Sequence, residues 1–149
     1  MTEKGIRLVK AFEGFSPTLY YDPVGIPTIG YGIVVDAEKY KNVILTKEAA
    51  EALLFSELIK TELMVRKLLK YKELHPYCYD ALTSFSFNVG IGNFSISTLR
   101  KKILRGELYD AANEFEKWIY AGGRILKGLI RRRKAEKELY LEGLALQGV

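Results

Sequence analysis

Phe12-Glu-Gly-Phe-Ser-Pro-Thr-Leu-Tyr-Tyr-Asp-Pro-Val-Gly-Ile-Pro-Thr-Ile-Gly-Tyr-Gly32 is the stretch on which the fold turns. Ahead of it the chain keeps a helical period, with Ile6, Val9 and Phe12 on one face. Thr2 stands in an N-cap place and Gly14 where a helix stops, which predicts a first helix over residues 2–13. Inside the stretch the period changes. Leu19-Tyr20-Tyr21 and Pro27-Thr28-Ile29-Gly30-Tyr31 are short runs rich in β-formers. Asp22-Pro23-Val24-Gly25 between them suits a type I turn. A small hairpin is predicted, extended by Ile33-Val34-Val35.

Further out the chain turns helical again. Thr46 caps a long helix carrying Ala49, Ala50, Leu53, Leu54, Leu58 and Val65. Pro76 opens another, with Ala81, Leu82, Phe85 and Val89. Ser95 or Ser97 caps a third, which Gly106 ends. A fourth spans about Glu107 to Trp118, Ala121-Gly-Gly123 breaks the chain, and a basic helix runs from about Lys127 to Gly143. The expected fold class is α+β: a small β patch of residues 15–45 between a first helix and a helical lobe of residues 46–149, all in one domain.

The bulk properties narrow the function classes. A chain of 149 residues needs no disulfide or metal to fold. The single cysteine, Cys78, excludes an internal disulfide and reads as a packed thiol. Nothing has metal-ligand spacing, and no cofactor is expected. No apolar run approaches the roughly 18 residues of a membrane span, and the N-terminus lacks the apolar core of a signal peptide. The expected site of synthesis is therefore a cytoplasm. The net charge of +5 favours a polyanionic partner without choosing among nucleic acid, anionic lipid and wall polymers.

Three residues of the opening stretch carry chemical potential. Glu13 falls on the face begun by Ile6 and Val9, where a core residue is due. Burial and the negative end of the helix dipole both favour its protonated form, which suits a general acid. A salt-bridged carboxylate at a frayed helix end fits the pattern equally well. Asp22 is also a turn starter, and Thr28 also a β-branched strand residue.

Taken together, Glu13, Asp22 and Thr28 are separated by eight and five intervening residues, and the stretch resembles the catalytic region of the phage-type lysozymes, glycoside hydrolase family 24. The likeness continues through Asp80-Ala-Leu-Thr-Ser-Phe-Ser-Phe-Asn-Val-Gly90, Phe94 to Leu99, Ala111-Ala-Asn-Glu-Phe115, Trp118, Tyr120-Ala-Gly-Gly-Arg124 and Gly128-Leu-Ile-Arg-Arg-Arg-Lys-Ala-Glu136. It is nearest the lambdoid-phage endolysin branch, related to the T-even phage lysozymes. One departure stands out: Ile33 occupies the place after Gly-Tyr-Gly where many relatives carry a His. The sole histidine, His75, lies elsewhere and reads as a surface or capping residue.

The resemblance implies a lysozyme-like fold with a cleft between β patch and helical lobe. It implies hydrolysis of the β-1,4 bond between N-acetylmuramic acid and N-acetylglucosamine in peptidoglycan, with inversion. Glu13 is then the acid, Asp22 the ionised carboxylate facing the sugar, and Thr28 the residue that holds water. It further implies that an Arg of the last helix pairs with the acid. Arg132 shares a face with Ala135 and Leu139 and is the candidate. Such a partner acts against the burial and dipole effects. Asn88 reads either as a cleft residue or as a helix-end residue bonding nearby backbone. Phe85, Phe87 and Trp118 read as core. The expected partner is the peptidoglycan glycan strand, bound by a monomer without nucleic acid or stable membrane insertion, after release from the host cytoplasm. The rival classes are a lytic transglycosylase, a non-catalytic wall-binding module and a nucleic-acid binder resting on Arg131-Arg-Arg-Lys134.

Overall fold

The computed structural model describes residues 1–149. Helix α1 (Glu3–Glu13) is capped by Thr2, whose hydroxyl accepts from the Gly5 N–H, and Gly14 ends it. Strands β1 (Ser16–Tyr21), β2 (Pro27–Gly30) and β3 (Ile33–Val34) form an antiparallel sheet in sequence order. Tyr20 faces Thr28, and Thr28 faces Val34 in turn. The predicted turn forms, with the Gly25 N–H donating to the Asp22 carbonyl at 2.9 Å.

A short helix α2 (Ala37–Tyr40) leads into α3 (Lys47–Leu68), capped by Thr46 as its sequence suggests. Helix α4 (Pro76–Val89) starts on His75, whose ring Nδ1 accepts from the Tyr77 N–H at 3.0 Å. Then come α5 (Ile91–Ile96), α6 (Thr98–Leu104) and α7 (Leu108–Ala111). Ser97, rather than Ser95, caps α6. The chain closes with a 3-10 turn (Ala112–Lys117), the strand pair β4 (Tyr120–Ala121) and β5 (Arg124–Ile125), and helix α8 (Lys127–Gln147). No helix is long and apolar enough to cross a membrane.

Two expectations are corrected and one is sharpened. The helix predicted from Glu107 to Trp118 is four residues of α7 followed by 3-10 turn. In 3-10 geometry residues i and i+3 eclipse, which aligns Ala112, Phe115 and Trp118 toward the core; both rings meet Phe85 edge-on, at 5.5 and 5.6 Å. The break at Ala121-Gly-Gly123 is a two-residue hairpin, with Gly122 and Gly123 both at positive φ as such a turn demands. The last helix runs four residues past Gly143, to Gln147.

Two cores result. The larger gathers Val65, Cys78, Leu82, Phe85, Phe94, Leu99, Phe115, Tyr140 and neighbours among the helices. The smaller joins Val9 of α1 and Tyr31 and Ile33 of the β region to Ala50, Leu54 and Leu58 of α3. Helix α3 therefore belongs to both, since Val65 lies in the larger, and it fixes the spacing of the two lobes. Cys78 is the packed thiol expected of it: burial pushes its thiol up to about 12. Phe85 has no exposed surface and touches three aromatic rings. Phe85→Ala is expected to lower the unfolding free energy by about 3–5 kcal/mol, read from the urea midpoint; an unchanged midpoint contradicts this packing.

Candidate active site

Glu13 is the last residue of α1, and Gly14, at φ +67°, turns the chain away behind it. Its side chain is 16% exposed and meets Arg132 of α8, with Nη1 2.5 Å from Oε1. The sequence-based choice of Arg132 is thus the residue the structure places against Glu13. On the other side Gly32 leaves no room to spare. A Cβ there would lie 2.2 Å from Glu13 Oε2, and the backbone sits at φ +76°. The second glycine of Gly-Tyr-Gly is therefore required both by its conformation and by the carboxyl group beside it.

Asp22 sits where β1 enters the turn. Its Oδ1 accepts the backbone N–H groups of Val24 and Ile26, each at 2.9 Å, which leaves Oδ2 free. Thr28 is buried in β2, and its hydroxyl donates to the Ile26 carbonyl at 2.8 Å. That proton is committed, so Thr28 Oγ1 faces any further partner as an acceptor. Tyr20, opposite Thr28 in the sheet, was not singled out by its sequence context. Its hydroxyl is pushed up first by burial and then by the charges of Glu13 and Asp22. Alternation carries Tyr20 to the face that Asp22 shares, but nothing in the residue itself distinguishes it from Tyr21.

Glu13, Tyr20, Asp22, Thr28, Phe87 and Asn88 line one cavity of about 410 Å³. It continues at both ends. Through Gly32, Val34 and Phe87 it opens into a larger cavity of about 700 Å³ walled by Leu63, Met64 and Ile91. Through Glu13 and Asn88 it opens into one of about 650 Å³ flanked by Lys127 and Arg131. The result is a groove along the boundary of the two lobes, with Glu13 at its middle. Phe87, expected in the core, packs against the smaller core but is only partly buried, and its open side forms groove wall. Helix α4 turns its neighbours Phe85 and Ser86 inward and carries Phe87 round to the β side. Ile33, at the place where a His was noted as common, is buried in the smaller core.

Behind the groove lies a buried charge network. Arg132 Nε donates to Glu136 Oε2 at 3.2 Å, and its Nη2 lies 3.3 Å from the Ser84 carbonyl and hydroxyl oxygens. Arg133 Nε stands 2.8 Å from Glu136 Oε1, and its Nη2 donates to Asn88 Oδ1 at 2.6 Å. The Ser84 hydroxyl donates to Glu136 Oε2 at 2.6 Å. Loss of water pushes the Glu136 carboxyl up and the Arg133 guanidinium down, and their opposite charges resist both shifts. Glu136 and Arg133 went unnoticed in the sequence because a helical charge run usually marks a solvated face. Here Arg131 and Lys134 are exposed and the two arginines between them are buried.

The chain resembles known proteins along most of its length. The chain is 36% identical over 148 residues to the endolysin of Bacillus phage B103, covering 96% of this chain and 54% of that protein. It is 37% identical over 144 residues to the endolysin of Acyrthosiphon pisum secondary endosymbiont phage 1, covering 94% and 97%. Among solved structures, the muramidase domain of SpmX from Asticaccaulis excentricus superposes with a TM-score of 0.84 at 33% identity, covering 94% of this chain and 96% of that one. The sequence profile of the phage lysozymes matches residues 10–136. With α+β lobes meeting at a groove and relatives aligned along nearly its whole length, this chain belongs to the phage lysozyme family.

Proposed function

We propose that the protein is a muramidase that hydrolyses the β-1,4 bond between N-acetylmuramic acid and N-acetylglucosamine of peptidoglycan and so lyses bacterial walls. The observation that carries this reading is the convergence of Glu13, Asp22 and Thr28 on one cavity at the lobe boundary. Glu13 gives its proton to the glycosidic oxygen, and Arg132 then faces the carboxylate that remains. The sugar passes through an oxocarbenium-like transition state. Asp22 Oδ2, the oxygen left free by the turn, stabilises that positive charge. Thr28 Oγ1, already a donor to the Ile26 carbonyl, accepts a hydrogen bond from the attacking water and so aims its lone pair at the sugar, and the Asp22 carboxylate takes the water's proton as the new C–O bond forms and the glycosidic C–O bond breaks. Inversion at the anomeric carbon follows from the family resemblance. The protein acts as a monomer on glycan strands after release from the host cytoplasm, without a cofactor. The net charge of +5 helps hold it on an anionic wall.

The direct test is clearing of purified peptidoglycan, with analysis of the fragments. Glu13→Gln is expected to reduce the rate at least about 10²-fold, and clearing at the wild-type rate would defeat the assignment. Fragments carrying one added water support hydrolysis, whereas anhydro sugars would point to a transglycosylase. A β-anomer at first appearance in proton NMR would refute inversion.

Thr28→Ser is expected to keep most of the rate, while Thr28→Val, near in shape but without the oxygen, loses most of it. Equal rates for the two would remove the water-holding role. Gly32→Ala drives a methyl group into the Glu13 carboxyl and is expected to cost activity at least about tenfold with about 1–2 kcal/mol of stability. Wild-type lysis by that variant would contradict the close approach. Raising salt from about 0.05 to 0.5 M should slow lysis by screening, measured on the same walls; a flat response would sever charge from binding.

A further inference from the structure

Glu136 is a fully buried carboxylate that the mechanism does not use. Each neighbouring guanidinium places one edge on it and the other on the groove. Arg132 bonds Glu136 through Nε and Glu13 through Nη1. Arg133 meets Glu136 through Nε and Asn88 through Nη2. Stability alone does not call for this arrangement, because buried ion networks are often replaced by apolar side chains without loss.

The charge arithmetic suggests another reason. With Glu13, Arg132, Glu136 and Arg133 all ionised, the four sum to zero. When Glu13 takes up a proton they sum to +1. Without Glu136 the same two states would carry +1 and +2. A general acid must be reprotonated in every turnover, and a buried Arg132 with Glu13 as its sole carboxylate partner would resist that step.

We infer that Glu136 is a positioning residue for the reaction: it shares Arg132 with Glu13, so that the acid can take up its proton, and through Arg133 it holds Asn88 on the same groove wall. This rests on the reading of Glu13 as the acid. Two guanidinium groups and the Ser84 hydroxyl all face Glu136 and oppose the upward push of its dry surroundings. The other groups around Glu13 are Tyr20 from β1, Asp22 from the turn, Lys127 and Arg131 from the start of α8, and Arg133, whose charge also acts on Glu13. Of these only Arg133 meets Glu136, and its freed charge adds to the effect of Arg132.

The test is the pH dependence of lysis for wild type, Glu136→Gln and Ser84→Ala, with thermal unfolding followed in parallel and Glu13→Gln as control. Neutralising Glu136 leaves Arg132 to Glu13 alone and favours the ionised acid. The alkaline limb of the Glu136→Gln profile is therefore expected to move down by about 0.5–1 pH unit, with a lower maximal rate. A purely structural role would lower the melting temperature and leave the limb in place. The Ser84 hydroxyl donates to Glu136 and accepts from Arg132, so Ser84→Ala loosens the shared arrangement and its limb should leave the wild-type position; this variant decides the matter if Glu136→Gln does not fold. An unmoved limb in the folded variants, or an upward move in Glu136→Gln, overturns the inference. If Glu13→Gln lyses walls as wild type does, the acid assignment itself falls. If Glu13→Gln is inactive and the limb stays put, only the role of Glu136 is lost.

Discussion

The contact between Arg132 and Glu13 joins residues 119 apart in sequence, and the groove depends on it. Helix α1 ends with its carboxyl at the lobe boundary, and only α8, packed along α4, carries a charge that can meet it there. The guanidinium cannot be buried on its own, because an uncompensated charge in a dry interior costs several kcal/mol. Glu136 and Ser84 satisfy its remaining donors. The C-terminal end of α1 is thus anchored from behind by two helices of the larger lobe, while Gly32 presses on it from the β side.

The lobes divide the remaining work. The β region holds Asp22 and Thr28 through backbone partners: two N–H groups for the carboxylate and one carbonyl for the hydroxyl. Such contacts set position without the rotamer freedom of long side chains. The helical lobe holds Glu13 and Asn88 through arginines. Helix α3 contributes to both cores, so the distance between these two sets of groups is governed by one rigid rod. The groove between them is more apolar toward Leu63, Met64 and Ile91, and cationic toward Lys127 and Arg131.

Where the structure departs from sequence reading, packing has overridden local pattern. Phe85 and Phe87 are two residues apart on α4 and have the same local chemistry, yet one fills the larger core and the other walls the groove. Their separation of about 200° around the helix is evident in the sequence, but which side is core depends on where α8 lies. The 3-10 turn at Ala112–Lys117 has the same origin. Its residues would accept an α-helix, and the tighter winding answers to Phe85 and Tyr140, against which Phe115 must stack.

By itself the sequence determined the first helix and its cap, the hairpin with Asp22 at its turn, the starts of α3, α4 and α8, and the spacing of Glu13, Asp22 and Thr28. These are consequences of local periodicity, capping and turn chemistry, which act over a few residues and are written in residue order. The tertiary structure alone decided that Tyr20 lies near both carboxylates, that Phe87 keeps one side open to the groove, and that Glu136 and Arg133 lie buried behind the site. Each of these follows from which helix faces meet, and a basic run at helical spacing looks the same in sequence whether water or a carboxylate waits on its inner side.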